Sequence, residues 1–561
     1  MPSVALRVTA VSVALLLPLL GCGPSAGTSS SPAPAGSTTP DITAADLRQR
    51  LYAYADDSMQ GRRSGTIGNV KATDFIAAEA ERLGLEPAGD DGTWFQTVPI
   101  VTRTLEPDAA LTVDGTTFKA WDDLIPRDQG KGTRSITGAQ AIYGGTWDGT
   151  LISLDQARGK LVVITLPPVN GVPGATANRA QTTERFNTAA GIVVASLDDI
   201  GTSERLDLQD SGAKLAGAEG GPEQPAFMYA TSRVAEALLG APLASLQPGA
   251  EGKTVSGELR FGDKPVEQPA RNVVAILRGS DPALAGQMVA IGAHNDHDGI
   301  GPETLDHDSL RAFNRYMRPE GANSTPGAPT AEQAAQIRTT LDSLRKLRSP
   351  RMDSVLNGAD DDGSGTVGVL EIAEQLATAT KRPRRSILFV WHTAEEMSLL
   401  GANHFTRHPT VPRDSIVAQL NVDMIGRGAA TDLPGGGPNY LQMIGSRRLS
   451  TELGDLVEQV NTDGKFGFRF DYQYDADGHP SNYYCRSDHY MYARFGIPIA
   501  FFTTGSHLDY HQLTDEPQYI DYDKLTRVTR LISGVAMAVA DLDHRVVVDK
   551  PKPDPEGVCK Q

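Results

Sequence analysis

Cysteine is scarce in this sequence: the 561 residues contain three, Cys22, Cys485 and Cys559, so a disulfide scaffold is excluded as the basis of the fold. Basic residues cluster only in short stretches such as "KRPRR" at 381–385. With a formal net charge of −17, that scarcity argues against nucleic acid and an anionic membrane surface as partners of a charged face. No internal repeat is visible. What is present is a chain of 40% hydrophobic content, which is enough to bury a large core and to form more than one domain.

The N-terminus reads as a targeting segment. Arg7 supplies the positive charge, "VTAVSVALLLPLL" the apolar stretch, and "LLGC" ends it at Cys22. This resembles the lipobox of bacterial lipoproteins, which implies a signal peptide over 1–21, acylation of Cys22 and an exported, membrane-anchored protein on the periplasmic or cell-surface side. Residues 22–40, rich in Gly, Ser and Pro, form a flexible tether. In such a compartment Cys485 and Cys559 are compatible with one bridge or with two free thiols.

Two amphipathic helices are expected between "DITAADLRQRL" and "AEAERLGL", in an N-terminal part of the main domain over 41–135. Short β-rich runs such as "AIYGGTW", "GKLVVITLPP" and "AAGIVVASLDD" mark an inserted β-rich domain over 136–255. The main domain resumes over 256–547 and a tail follows over 548–561. In the resumed part apolar strands alternate with helices, which predicts an α/β fold with a mostly parallel sheet covered on both faces.

The stretch "NGADDDGSGTVGVLEIAE" carries two conflicting signals. Gly363-Ser364-Gly365-Thr366-Val367-Gly368 fits the G-x-G-x-x-G pattern of a phosphate cradle, yet Asp360, Asp361 and Asp362 stand directly before it. A phosphate would have to approach three carboxylates, and Arg385 stands where a dinucleotide site needs an acid. The spacing also fails that of an EF-hand loop. The loop is therefore expected to serve a cation.

Four further stretches place metal-ligand residue types at predicted strand ends. "IGAHNDHDG" offers His294, Asp296 and His297; "VWHTAEEMSLLG" offers Glu395 and Glu396; "LNVDMIG" offers Asp423; "GSHLDYHQLTDE" offers His507, Asp509 and His511. Open α/β sheets bind ligands beyond the carboxyl ends of their strands, so these loops are expected to converge. A mixed His and carboxylate set suits two zinc ions sharing one bridging carboxylate.

This five-motif series resembles the co-catalytic zinc aminopeptidases related to glutamate carboxypeptidase and the transferrin receptor, over most of the chain from "LRQRL" to the last helix. The resemblance implies a zinc exopeptidase fold and two Zn²⁺ ions. His294 and Asp423 would hold one, Glu396 and His511 the other, and Asp361 would bridge them. Glu395 would be the general base, and Asp296 would orient the His294 ring. Tyr484, or its neighbour Tyr483, would donate to the oxyanion of the tetrahedral intermediate. His297, His392 and His489 read as structural hydrogen-bonders. The inserted region resembles the protease-associated (PA) domain of many members.

The implied activity is hydrolysis of N-terminal residues from peptides by a lipid-anchored aminopeptidase. The alternatives are a carboxypeptidase or glutaminyl cyclase of the same fold, or a non-catalytic receptor. The family pattern is departed from at one place: His294 and Asp361 are 67 residues apart, with the polar helix "TAEQAAQIRTTLDSLRKLRS" between them. This insertion is expected to border the cleft or to be decoration.

Overall fold

Nine strands make the main sheet, and those at its centre are buried on both faces. They are β1 (Glu86–Pro87), β2 (Phe95–Val98), β3 (Ala270–Leu277), β4 (Met288–His294), β5 (Ser386–His392), β6 (Ile416–Val422), β7 (Tyr440–Ile444), β8 (Arg469–Asp471) and β9 (Ile499–Thr503). The computed structural model describes residues 38–107, 109–128, 133–168, 174, 176–201, 205, 208, 212–217 and 223–561. The expected leader, Cys22 and most of the tether lie outside the described residues.

The sheet order is β1-β3-β5-β4-β6-β9-β7-β8, with β2 also paired to β3. The central four, β5, β4, β6 and β9, run parallel, as their continuous Val, Ile, Leu and Phe content predicts, and β3 and β7 join them antiparallel. Their parallel direction matters for function. It brings four strand ends, and the loops that follow them, to one edge of the sheet.

Helices cover both faces. On one side lie α1 (Ala44–Tyr54), α2 (Ile67–Arg82), α5 (Gly365–Thr378), α7 (Thr451–Asp463) and α9 (Tyr522–Ala540), packed on a core that includes Trp391, Phe389 and Leu420. On the other lie α6 (Leu400–Arg407) and α8 (His489–Ala493). Helix α5 is apolar almost all round and buried along most of its length, so packing rather than propensity fixes it. A buried charge cluster ties three helices together: Arg50 of α1 reaches Glu79 of α2 at 3.0 Å and Glu374 of α5 at 2.6 Å, and also pairs with Glu371. Arg82 also reaches Glu79 at 2.9 Å and Glu374 at 3.3 Å, so removing Arg50 would strand Glu371 above all.

The β-rich region pairs beyond the run expected over 136–255: Ala110–Val113 pairs with the strand Glu251–Glu258, and Leu124–Arg127 pairs with Ala226–Ala230. Leu124–Arg127 finds its partner about 100 residues away, whereas Ala110–Val113 also pairs with Thr116–Lys119 across the Asp114-Gly115 turn. The region's eight-stranded sheet is parallel in the middle, through Gln140–Thr146, Leu161–Thr165, Gly191–Ala195 and Ala226–Ala230.

The segment between β4 and α5 is a module of its own. The strands Gly299–Asp306 and Met352–Leu356 pair antiparallel and enclose α3 (His307–Met317) and α4 (Ala331–Arg345). Helix α4 is the polar helix expected from the sequence; it buries no residue and starts at a capping box of Thr330 and Gln333. At the other end of the chain, Cys485 and Cys559 form a disulfide with Cα atoms 5.8 Å apart. No helix among the described residues is long and apolar enough to cross a membrane.

Candidate metal centre

His294 is the last residue of β4, Glu395 and Glu396 follow β5, Asp423 follows β6, and His511 lies in the loop after β9. Asp361 enters from the loop before α5. The three adjacent aspartates there have separate tasks. Asp362 Oδ1 accepts from the backbone N–H of Gly365, capping α5, and from that of Met424, while Oδ2 accepts from His294 N–H. Asp360 Oδ1 accepts from Gly426 N–H, and Asp360 Oδ2 lies 3.2 Å from His507 Nε2. Only Asp361 faces the centre.

The two oxygens of Asp361 point to different histidines: Oδ1 is 3.0 Å from His294 Nε2, and Oδ2 is 3.0 Å from His511 Nε2. His294 Nε2 is also 3.7 Å from Asp423 Oδ1, and His511 Nε2 is 3.1 Å from Glu396 Oε2. All five ligands expected from the motifs are therefore gathered in two adjoining groups that share Asp361. Glu395 forms a third grouping with His294 and Glu396.

His297 joins them. Its Nδ1 lies 2.8 Å from Glu396 Oε1 and 3.9 Å from Asp361 Oδ2, which places it in the group of Asp361, Glu396 and His511. Sequence reasoning set this residue aside as structural. Gly358 makes the close approach feasible: it has φ +52°, and a Cβ there would fall 2.5 Å from His297 Cγ. Ala394, Met424 and His511, all next to or within the centre, also hold positive φ values, a strain that recurs at functional sites.

A further ring of groups holds these side chains. His294 Nδ1 lies 3.1 Å from the backbone carbonyl oxygen of Asp296; the Asp296 carboxylate is 3.7 Å away and accepts from Glu395 N–H. Asp296 thus fixes both the histidine and the backbone of the glutamate. Ser487 donates to Asp423 Oδ2 at 2.8 Å. On the other side His511 Nδ1 sits 3.0 Å from Asp298, a carboxylate sequence reasoning passed over; it repeats, at His297-Asp298, the pairing of imidazole and acid that the motif already showed. The module between β4 and α5 braces the His511 loop: Arg311 of α3 reaches Asp509 at 2.6 Å, and Ala322 N–H donates to the Tyr510 carbonyl.

The electrostatics of the centre are extreme. Burial opposes a charged His294, yet Asp296, Asp361 and Asp423 raise its proton affinity well above the ordinary imidazole value. Burial pushes Glu395 well above the usual carboxyl range; His294 pulls it down, and Glu396 and Asp423 push it further up. Burial also raises Asp361, but His294 and His511 outweigh it and hold the carboxyl far below its usual range. A divalent cation would displace the protons held here.

Other candidates lie elsewhere. Tyr484 is buried in the apolar layer against α8, its ring under Arg448, and it does not line the cleft. It therefore cannot fill the oxyanion role expected of it; its neighbour Tyr483 does line the cleft, with its hydroxyl 2.8 Å from Ser506 Oγ. Tyr510, next to His511 in the chain, lines the cleft too and accepts from Arg486. Sequence reasoning missed it, although it stands directly before His511 in "GSHLDYHQLTDE". His392 and His489 are structural as expected: burial drives both down to about 3, the first against Tyr492 and the second stacked on Phe501.

The donor set fits zinc. Four carboxylates and three imidazoles converge, and among the described residues no lysine or arginine forms an ion pair with any of the four. Asp423 Oδ1 is buried without a hydrogen-bond partner, an acceptor left aimed at the gap beside His294. Oxygen and imidazole donors in fours and threes are the ligands zinc takes.

Comparison with known proteins agrees with this geometry. Residues 272–536 match the model described as peptidase family M28. Over 192 residues the chain is 31% identical to leucine aminopeptidase 1 of Paracoccidioides brasiliensis strain Pb03, spanning 33% of this chain and 47% of that protein. It is 28% identical over 201 residues to aminopeptidase Y of Saccharomyces cerevisiae, spanning 33% of this chain and 34% of that one. The match thus spans half or less of these relatives' length. Among solved structures, the aminopeptidase from Aneurinibacillus sp. strain AM-1 superposes with a TM-score of 0.50 over 91% of this chain and 97% of that chain, at 16% identity, a likeness of fold.

Proposed function

We propose, from the match of residues 272–536 to the model of peptidase family M28, that the protein is a di-zinc aminopeptidase that hydrolyses N-terminal residues from peptides. The observation that carries this reading is the position of Asp361, whose two oxygens each lie 3.0 Å from a different histidine. One carboxylate shared between two donor sets calls for two cations. His294 and Asp423 would hold one, Glu396 and His511 the other, with Asp361 common to both. When bound, zinc polarises the scissile carbonyl and makes water acidic enough to lose a proton near pH 7.

The chain's own residues do the rest. Glu395 sits in the cleft with its backbone fixed by Asp296, and among the described residues no ion pair occupies its carboxylate. It takes the proton of the attacking water and returns it to the leaving amine. The hydroxyl of Tyr510 donates to the developing oxyanion, with Arg486 at 3.1 Å behind it. The carboxylates of the cleft favour a positively charged N-terminal amine, and Met424 and Phe501 on its wall suit an uncharged first side chain. Retention of the full donor set argues against a receptor, and a second cation position against a one-zinc cyclase.

The deciding experiment compares free-amine, N-blocked and C-blocked peptides on the purified body. Hydrolysis that requires a free amine and tolerates a blocked C-terminus is expected. Persistence on N-blocked peptides with loss on C-blocked ones would establish a carboxypeptidase instead. The reading includes the lipid anchor, supported by "LLGC" and the tether, and a protease-associated identity for the inserted domain, supported by its β-rich texture. Cys22→Ser should release the protein from membranes into the aqueous phase of a detergent partition without altering turnover.

A further inference from the structure

The two donor groups are not equivalent, and the difference lies in His297. The group of His294, Asp361 and Asp423 supplies three protein atoms. The other supplies four: His297 Nδ1, Asp361 Oδ2, an oxygen of Glu396 and His511 Nε2. The separations around this second group are 2.8 Å (His297 to Glu396), 3.0 Å (His511 to Asp361), 3.1 Å (His511 to Glu396) and 3.9 Å (His297 to Asp361). Tetrahedral zinc with ligand bonds near 2.05 Å has ligand–ligand edges of about 3.3 Å. The four separations straddle that value.

His297 is also held for the task. It is fully buried, Gly358 is packed against its ring, and the ring meets that of His511 edge-on with centroids 5.3 Å apart. Coordination through Nδ1 leaves Nε2, which has no hydrogen-bond partner among the described residues, as the protonated nitrogen. A neutral imidazole here adds a donor without adding a third negative charge to Asp361 and Glu396.

We propose that His297 is a protein ligand of the Glu396/His511 position, so that this position is closed by four side chains while the His294/Asp423 position keeps its fourth place open for water or substrate. Closed four-donor zinc sites are structural in character and open three-donor sites are catalytic. The closed position therefore fills first and holds its ion the more tightly. The open position, beside Glu395, is the one that exchanges. The inference rests on the di-zinc reading above and adds a ligand and an order of filling to it.

The test uses the metal-free full body titrated with cobalt(II) and with zinc. Two affinity classes at least tenfold apart are expected. His297→Ala should weaken the tighter class by 10–100-fold or more and leave the weaker one in place; Asp423→Asn should remove the weaker class alone. A measurement on the unaltered protein does not depend on the variants folding: paramagnetic proton NMR of the one-equivalent cobalt form should show two exchangeable imidazole N–H signals, from His297 and His511, and a third on addition of the second equivalent. A single signal at one equivalent, or two classes unchanged in His297→Ala, overturns the role of His297 while leaving the di-zinc reading intact. Failure of the protein to bind two ions overturns both.

Discussion

His511 Nδ1 lies 3.0 Å from Asp298 Oδ2, on the opposite side of the ring from the nitrogen that faces Asp361 and Glu396. The carboxylate fixes the tautomer and leaves Nε2 free to coordinate. Burial works to raise Asp298, but His511 outweighs it and holds the acid far below its usual range. Asp298→Ala should lower metal affinity at the Glu396/His511 position by about 10–100-fold, read by metal titration. An unchanged affinity would falsify the positioning role.

The adjacent glutamates should separate cleanly. Glu395→Gln keeps the donor set and removes the proton acceptor, so kcat should fall by about 10²–10⁴ with both metals retained and KM little changed. Glu396→Gln removes a ligand that lies 3.1 Å from His511 Nε2 and 2.8 Å from His297, and metal should be lost from that position. Metal analysis beside steady-state kinetics distinguishes the two; zinc loss in the first with full occupancy in the second would reverse the assignment.

Tyr510→Phe should lower kcat by about 10²–10³ without changing metal content, the usual cost of one lost oxyanion donor. Tyr484→Phe should leave kcat unaltered, because that ring lies under Arg448 in the apolar layer. If Tyr483→Phe carries the larger loss, the donor is the tyrosine engaged with Ser506.

A pH prediction comes from the module that braces the His511 loop. His307, buried under Tyr519 and accepting from Arg351, is lowered to about 4, by burial first and by the Arg351 charge second. A depressed histidine favours the neutral form in the folded state. Its contribution is fully present above the unfolded value near 6.5 and is lost as pH falls from there to about 4, up to ~3 kcal/mol. His307→Gln should therefore flatten the acid side of the stability profile, measured by thermal unfolding between pH 7 and 4.5. An equal acid dependence in both proteins would show that His307 does not titrate there.

How much of this was legible in the sequence depended on where each signal came from. Four of the expected ligands, His294, Glu396, Asp423 and His511, follow apolar parallel strands that must deliver their ends to one edge, and Asp361 comes from the Asp-rich loop before α5, so the convergence of the four followed and that of Asp361 rested on its motif. His297 and Asp298 were written in the same motif, but their partners, Glu396 and His511, come from loops after other strands, and no local pattern says which face a loop side chain takes. Tyr484 and Tyr483 are neighbours on one short helical turn, and the register of that turn sends one ring into the core and the other to the cleft. The strand at 124–127 escaped because its partner is supplied by 226–230, whereas the hairpin of Ala110–Val113 with Thr116–Lys119 was signalled by Asp114-Gly115 and was missed.

The disulfide has a consequence beyond the tail it secures. Cys485 stands between Tyr483 and the pair Arg486-Ser487, all three of which line the cleft, and Ser487 also holds Asp423. Its bond to Cys559 closes a loop across 74 positions, a restraint of about 4 kcal/mol on the unfolded chain. The wall against which a substrate rests is thus completed by oxidation after synthesis. Protein made in a reducing cytosol would hold the same ligands and the same sheet beside a looser wall, so its catalytic quality would record the redox history of the compartment in which it matured.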